Sequence, residues 1–82
     1  MQGGVVLNYE IEKIVGSNIR KLRKKANLTQ EQLVAKLQLN GCDITRSALA
    51  KIEVGQRHLY PDEIILIKEI LRVDYSAIFE IH

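Results

Sequence analysis

Three observations predict an all-α fold of five helices for this 82-residue chain. Apolar residues recur at three- and four-residue steps through most of its length, the period of a helix with one buried face. Residues that start and stop helices punctuate these stripes at short intervals. No stretch alternates apolar and polar residues for long enough to argue a sheet.

Residues 1–8 carry two adjacent glycines and no helical stripe, and read as a flexible N-terminal arm ahead of one domain, 9–82. From Tyr9 the residues Ile11, Ile14, Val15, Ile19, Leu22 and Ala26 form the first stripe. Asn8 is its expected N-cap, Glu10 and Glu12 suit the first turn, and Lys24 and Lys25 suit the last. Asn27 can take the left-handed conformation that ends a helix. Gly16, inside this helix, marks a close packing point or a bend.

Thr29-Gln30-Glu31-Gln32 matches a capping box, with Leu28 placed to staple against Leu33. The second helix is expected over about 30 to 38 or 39, with Leu33, Val34 and Leu37 inward. Asn40 or Gly41 stops it. Thr45 is the next N-cap, and the third helix, about 45–54, gathers Ala48, Leu49 and Ile52 on one face and ends at Gly55. Pro61 opens a fourth helix, whose stripe Ile64, Ile65, Leu66, Ile67, Ile70 and Leu71 is expected to be mostly buried. Asp74 caps a short fifth, with Ala77, Ile78 and Phe79.

The composition, 46% apolar and 27% charged, fits a soluble globular domain. The net charge of +2 is small, but its distribution is uneven. Residues 13–57 hold ten basic side chains against three acids, while both flanks are acidic. This makes the middle of the chain the candidate polyanion-binding region. No apolar run approaches the ~20 residues of a spanning helix, and no signal peptide is recognisable, so the expected compartment is the cytoplasm. Cys42, His58 and His82 lack metal-ligand spacing, and Cys42 with His58 lacks the third group of a nucleophilic site. No cofactor, small-molecule ligand or enzymatic activity is indicated. The four aromatics do not interleave with the basic run, which argues against stacking on single strands.

The third helix sets Arg46, Ser47, Ala50 and Lys51 opposite its apolar face. Two of these are long donors and two are small enough to let a backbone approach a surface. The major groove of B-DNA is about 12 Å wide and admits such a helix, with Arg46 or Lys51 in reach of guanine. The free N–H groups at Thr29 and Gln30 are natural phosphate ligands. An ordinary exposed amphipathic helix would show the same wheel.

The order of residues adds to this. "IVGSNIRKLRKKANLTQEQLVAKL", then "ITRSALAKIEVGQR", then "LRVDYSAIF" resembles the phage-repressor and Cro-like helix-turn-helix family, also called the XRE family. The resemblance spans roughly residues 14–80. It is carried by Leu28-Thr29-Gln30-Glu31-Gln32-Leu33 and by Ile52-Glu53-x-Gly55 ahead of a proline-started helix. It implies a five-helix, lambda-repressor-like DNA-binding domain with the third helix as the recognition element. It implies base or nearby backbone contacts for Thr45, Arg46, Ser47 and Lys51, and phosphate contacts for Thr29, Gln30 and Arg57. It also implies a structural ion pair between Arg23 and Glu53, with Gln30 bracing the recognition helix. Arg72 stands where such domains carry glycine, which implies a strained or differently ended fourth helix. Ala48 replaces a common hydroxyl.

The chain departs from the pattern in its turn. Six residues, Gln38 to Asp43, separate the Leu37 and Ile44 positions where typical relatives have one. The turn between the second and third helices is therefore lengthened by five, with Ile44 as its buried residue. The expected function is a sequence-specific regulator of transcription that binds double-stranded DNA as a homodimer, each copy covering one half-site of a near-palindromic operator. The alternative is a protein-interaction module of the same fold, an antitoxin or regulatory partner, that does not read DNA.

Overall fold

A computed structural model describes residues 8–81. Five helices follow one another: α1 (Asn8–Lys25), α2 (Gln30–Leu39), α3 (Arg46–Glu53), α4 (Pro61–Leu71) and α5 (Tyr75–Ile78). There is no strand among the described residues. Residues 1–7, most of the expected arm, and His82 lie outside them. Asn8, expected to be the last arm residue and the cap, is the first described residue and is helical.

Four helices end in the same way. A residue with positive φ follows each: Asn27 (60°), Gly41 (85°), Gly55 (77°) and Arg72 (57°). In each case the next N–H reaches back to the carbonyl five residues earlier. Leu28 bonds to Arg23 at 3.1 Å, Cys42 to Leu37 at 2.9 Å, Gln56 to Lys51 at 2.8 Å and Val73 to Lys68 at 3.2 Å. These Schellman closures satisfy carbonyls that a helix end otherwise leaves without partners. Two of the four carry a Cβ: Asn27, a residue type that tolerates the left-handed conformation, and Arg72, which does not and is held there at roughly 1–2 kcal/mol relative to an unstrained backbone.

The starts are as regular. The Thr29 Oγ1 accepts from the Gln32 N–H at 3.0 Å and the Gln32 Oε1 accepts from the Thr29 N–H at 2.8 Å, a complete capping box. Thr45 is the N-cap of α3, as expected, and Val54, the last residue of the expected range, is its C-cap. Asp74 holds the N-cap place of α5 without a side-chain hydrogen bond; its backbone carbonyl accepts from Ala77 instead.

The core is a cluster centred on Ile19, Leu33, Leu37, Ile44, Leu49, Ile52, Ile67 and Ile78, all essentially inaccessible. Each such side chain contributes about 1.5–3 kcal/mol by leaving water. The α4 stripe is mostly buried or half-buried, as expected, with one exception. Its four consecutive apolar residues cannot share one face of a helix, so Glu63, Ile67 and Leu71 point inward and Ile65 is left exposed. Phe79 likewise lies past the end of α5 and is exposed. The chain beyond α5 is tied to α1 by the buried Asn18, whose Nδ2 donates to the carbonyls of Ile78 and Glu80, both at 2.8 Å.

α1 and α3 meet at backbone distance. A Cβ placed on Gly16 would fall 1.9 Å from the Ile52 carbonyl oxygen. One on Gly55 would fall 2.7 Å from the Lys13 Cα. Gly16 is therefore a packing point, and α1 remains one continuous helix through it.

Candidate nucleic-acid interface

α3 is a short helix held from behind. Leu49, Ile52 and Glu53 face inward, and Thr45, Arg46, Ser47 and Lys51 are exposed. Ala48 and Ala50 are half-buried between the two faces. The Thr45 Oγ1 accepts from the Ala48 N–H at 3.1 Å, so this hydroxyl starts the helix and keeps a lone pair and its proton for an outside partner.

Behind α3 lies a buried ionic junction. Arg23 on α1 donates to both oxygens of Glu53 on α3, from Nε at 2.7 Å and from Nη2 at 3.0 Å. Its Nη1 donates to the Leu28 carbonyl at 2.8 Å. Gln30, the first residue of α2, donates from Nε2 to Glu53 Oε1 at 3.0 Å. The hydrogen bonds from Arg23 to Glu53, partly opposed by burial, raise its guanidinium pKa above the ordinary value, so the arginine stays charged. The junction fixes the end of α3 to α1 and to the start of α2. Such a pair adds little net stability over an apolar substitute, but losing one partner strands a buried charge.

The lengthened turn is closed rather than loose. α2 runs to Leu39, and Asn40 and Gly41 complete its Schellman end. The Ile44 N–H then bonds to the Cys42 carbonyl at 3.0 Å, and the Gln38 Nε2 donates to the Ile44 carbonyl at 2.9 Å. Ile44 enters the core and Cys42 packs against it. The turn thus delivers Thr45 to the head of α3 along a hydrogen-bonded route. Burial, followed by the negative charges of Glu63 and Asp62, pushes the Cys42 thiol above its ordinary value, which suits a packing residue and not a nucleophile.

Two of the expected contact residues form ion pairs inside the molecule. Arg46 lies 3.2 Å from Glu31 of α2, both side chains being mostly in solvent. Such a pair is weak and readily exchanged. Arg57 differs from the free cation its position implies. It donates to both oxygens of Glu63 at 2.9 and 3.1 Å and to the His58 carbonyl at 2.9 Å, and it lies over the Tyr60 ring. Glu63 also accepts from the Tyr60 N–H at 3.0 Å, capping α4. Burial raises the Glu63 pKa, but the Arg57 and Tyr60 hydrogen bonds together with the nearby positive charge outweigh it and hold the carboxyl below its usual range. Arg57 therefore braces the loop between α3 and α4. His58 adds a second tie, its Nδ1 meeting the Glu12 carboxylate of α1.

Sequence reasoning missed Glu31, Gln38 and Glu63. Glu63 had a signal, an acid three residues past the cap of a proline-started helix. The roles of Glu31 and Gln38 depend on how α2 and α3 cross, which no local pattern encodes.

Among the described residues no group of His, Cys, Asp and Glu is placed to hold a metal ion, and no helix is long and apolar enough to cross a membrane. The arrangement instead presents a rigid polar helix face beside a second helix N-terminus, and offers N–H and cationic donors to an anion-rich surface. No curated protein matches the chain. The helix-turn-helix family matches over residues 19–78, from the middle of α1 to the end of α5. By that match, over most of its length, the chain belongs to the helix-turn-helix family of the Cro and XRE type, a family of DNA-binding regulators.

Proposed function

We propose that this protein is a sequence-specific regulator of transcription that inserts α3 into the major groove of double-stranded DNA. The observation that carries the reading is the division of α3 into a face locked to α1 and α2 and a face where Thr45, Arg46, Ser47 and Lys51 stand exposed together. Arg46 and Lys51 donate to base edges, Arg46 leaving Glu31 to do so. Ser47 and Thr45 take a base edge or the adjoining backbone. Thr29 and Gln30 bring the start of α2 to a phosphate. Arg57 can take a phosphate only by giving up part of its hold on Glu63, so its share of the contact is smaller than its charge suggests.

One such unit covers a half-site, so the protein acts as a homodimer on a near-palindromic operator in the cytoplasm. The exposed apolar residues toward the chain end, Tyr75, Phe79 and Ile81, support a pairing surface there. The test is selection from random duplex DNA followed by binding across a salt series. A recovered consensus with affinity falling steeply as salt rises supports the proposal, because each neutralised phosphate releases counterions. A folded protein with flat, negligible binding at low salt would instead favour the protein-interaction alternative.

A further inference from the structure

The end of α2 carries a feature that neither the core nor the α3 face uses. Leu39 is 86% exposed, the most open of the large apolar side chains described. It is not the product of a loose turn, since the backbone around it is closed by the hydrogen bonds at Asn40, Gly41 and Cys42. Leu39 lines a groove of about 300 Å³ with Lys36, Asn40, Glu69, Ile70 and Arg72. A second groove of about 300 Å³ continues from Arg72 to Val73, Leu71 and Lys25. The exposed Leu39 and the half-buried Ile70 and Val73 thus form an apolar strip across α2 and the end of α4. Lys25, Lys36 and Arg72 flank it, with Glu69 as its one acid. Among the described residues these three cations form no side-chain ion pair.

Arg72 joins the two grooves and is the residue held in the left-handed conformation. A glycine would sit there without strain. A strained residue whose side chain does nothing inside the fold points to a use outside it.

We propose that this strip is the docking site of a second protein, through an acidic amphipathic helix. The apolar row suits the i, i+3, i+4, i+7 face of such a helix. Three cations against one acid select an acidic partner and oppose a second copy of this chain, whose own strip would bring the same excess of positive charge. DNA does not fit, because phosphates gain nothing from an exposed leucine beside a half-buried isoleucine. The site also lies at the far end of α2 from Gln30, about 15 Å along a ten-residue helix. A partner there leaves α3 free. The inference does not depend on the DNA-reading proposal.

The test titrates the isotopically labelled full chain with a short synthetic helical peptide carrying leucines at those four positions and glutamates elsewhere, and with a lysine-for-glutamate counterpart. The glutamate peptide is expected to shift amides at 36–40 and 69–73, and the lysine peptide is not. Leu39→Ser should weaken binding by about tenfold, as for a central apolar anchor. Arg72→Gly should weaken binding while raising the melting temperature, a combination that a purely structural arginine cannot produce. Equal binding of both peptides, or shifts confined to other surfaces, would overturn the proposal. So would a change in the sedimentation of the free chain on Leu39→Ser, which would assign the strip to self-association. A loss of duplex binding by Arg72→Gly as large as that of Arg46→Ala would assign it to DNA.

Discussion

The backbone of Gly16 lies against that of Ile52, so close that a Cβ on the glycine would fall 1.9 Å from the Ile52 carbonyl oxygen. Because that neighbour is backbone, no side-chain rotation can relieve the contact. An alanine inside a helix is ordinarily favourable by about 1 kcal/mol over glycine. Here Gly16→Ala is expected to reverse that sign and cost roughly 1–3 kcal/mol by overpacking. It should also displace α3, so urea melts and duplex binding should both weaken. Unchanged stability would show that α1 and α3 can slide apart at no cost.

The Arg23–Glu53 junction answers differently to removal and to replacement. Arg23→Ala leaves Glu53 buried without its partner and should destabilise by about 3–5 kcal/mol. Replacing both by apolar residues of similar size, Arg23→Met with Glu53→Leu, should restore most of that stability. Gln30 then loses its acceptor, and the head of α2 is no longer tied to α3. Denaturant melts of the single and double variants read the first effect. Affinity for duplex, at matched fraction folded, reads the second and is expected to stay reduced in the double variant.

Glu63 makes stability depend on pH in the acid range. Its folded pKa is depressed below the ordinary 4.5. A depressed carboxylate contributes stability that is complete above the unfolded value and is lost as pH falls through the folded one. Stability should therefore decline below about pH 4.5, and Glu63→Gln should flatten that decline. At neutral pH the same substitution should cost about 1–2 kcal/mol, since charge-assisted bonds to Arg57 are lost in a partly solvated site. Thermal melts from pH 3 to 7 compare the two proteins. Parallel curves would place the acid sensitivity elsewhere.

Glu31 holds Arg46 at 3.2 Å in solvent. If Arg46 reads a base, Glu31 both competes for it and repels the duplex. Glu31→Gln should then tighten DNA binding by a few-fold, in line with the ~0.2–1 kcal/mol of an exposed pair, with no change in melting beyond the same small range. Arg46→Ala should relax the preference at one base pair, a discrimination of about 1–3 kcal/mol. Arg57→Ala should weaken all sequences alike and lower stability, because the arginine also braces the loop before α4. Binding titrations on the selected consensus and its single-base variants separate these outcomes.

The local pattern of the chain determined the five helices and where they stop. Thr29 with Gln32, Thr45, Pro61, Asn27 and Gly55 act through hydrogen bonds and backbone preferences that span only a few residues, so they could be read in order. The helix-turn-helix family was readable for the same reason, since its spacing is local apart from the longer turn. What only the tertiary structure decided is which polar groups meet. Four apolar residues in a row left open which of Ile64, Ile65, Leu66 and Ile67 would face the core until α2 packed on α4. Gln38 found the Ile44 carbonyl because the turn doubled back on its own helix. Arg46 found Glu31 because the crossing of α2 and α3 brings that acid near, and Arg57 found Glu63 because the loop before α4 folds back on the first turn of that helix. A helix is specified by neighbours in sequence, and an ion pair between helices by their packing.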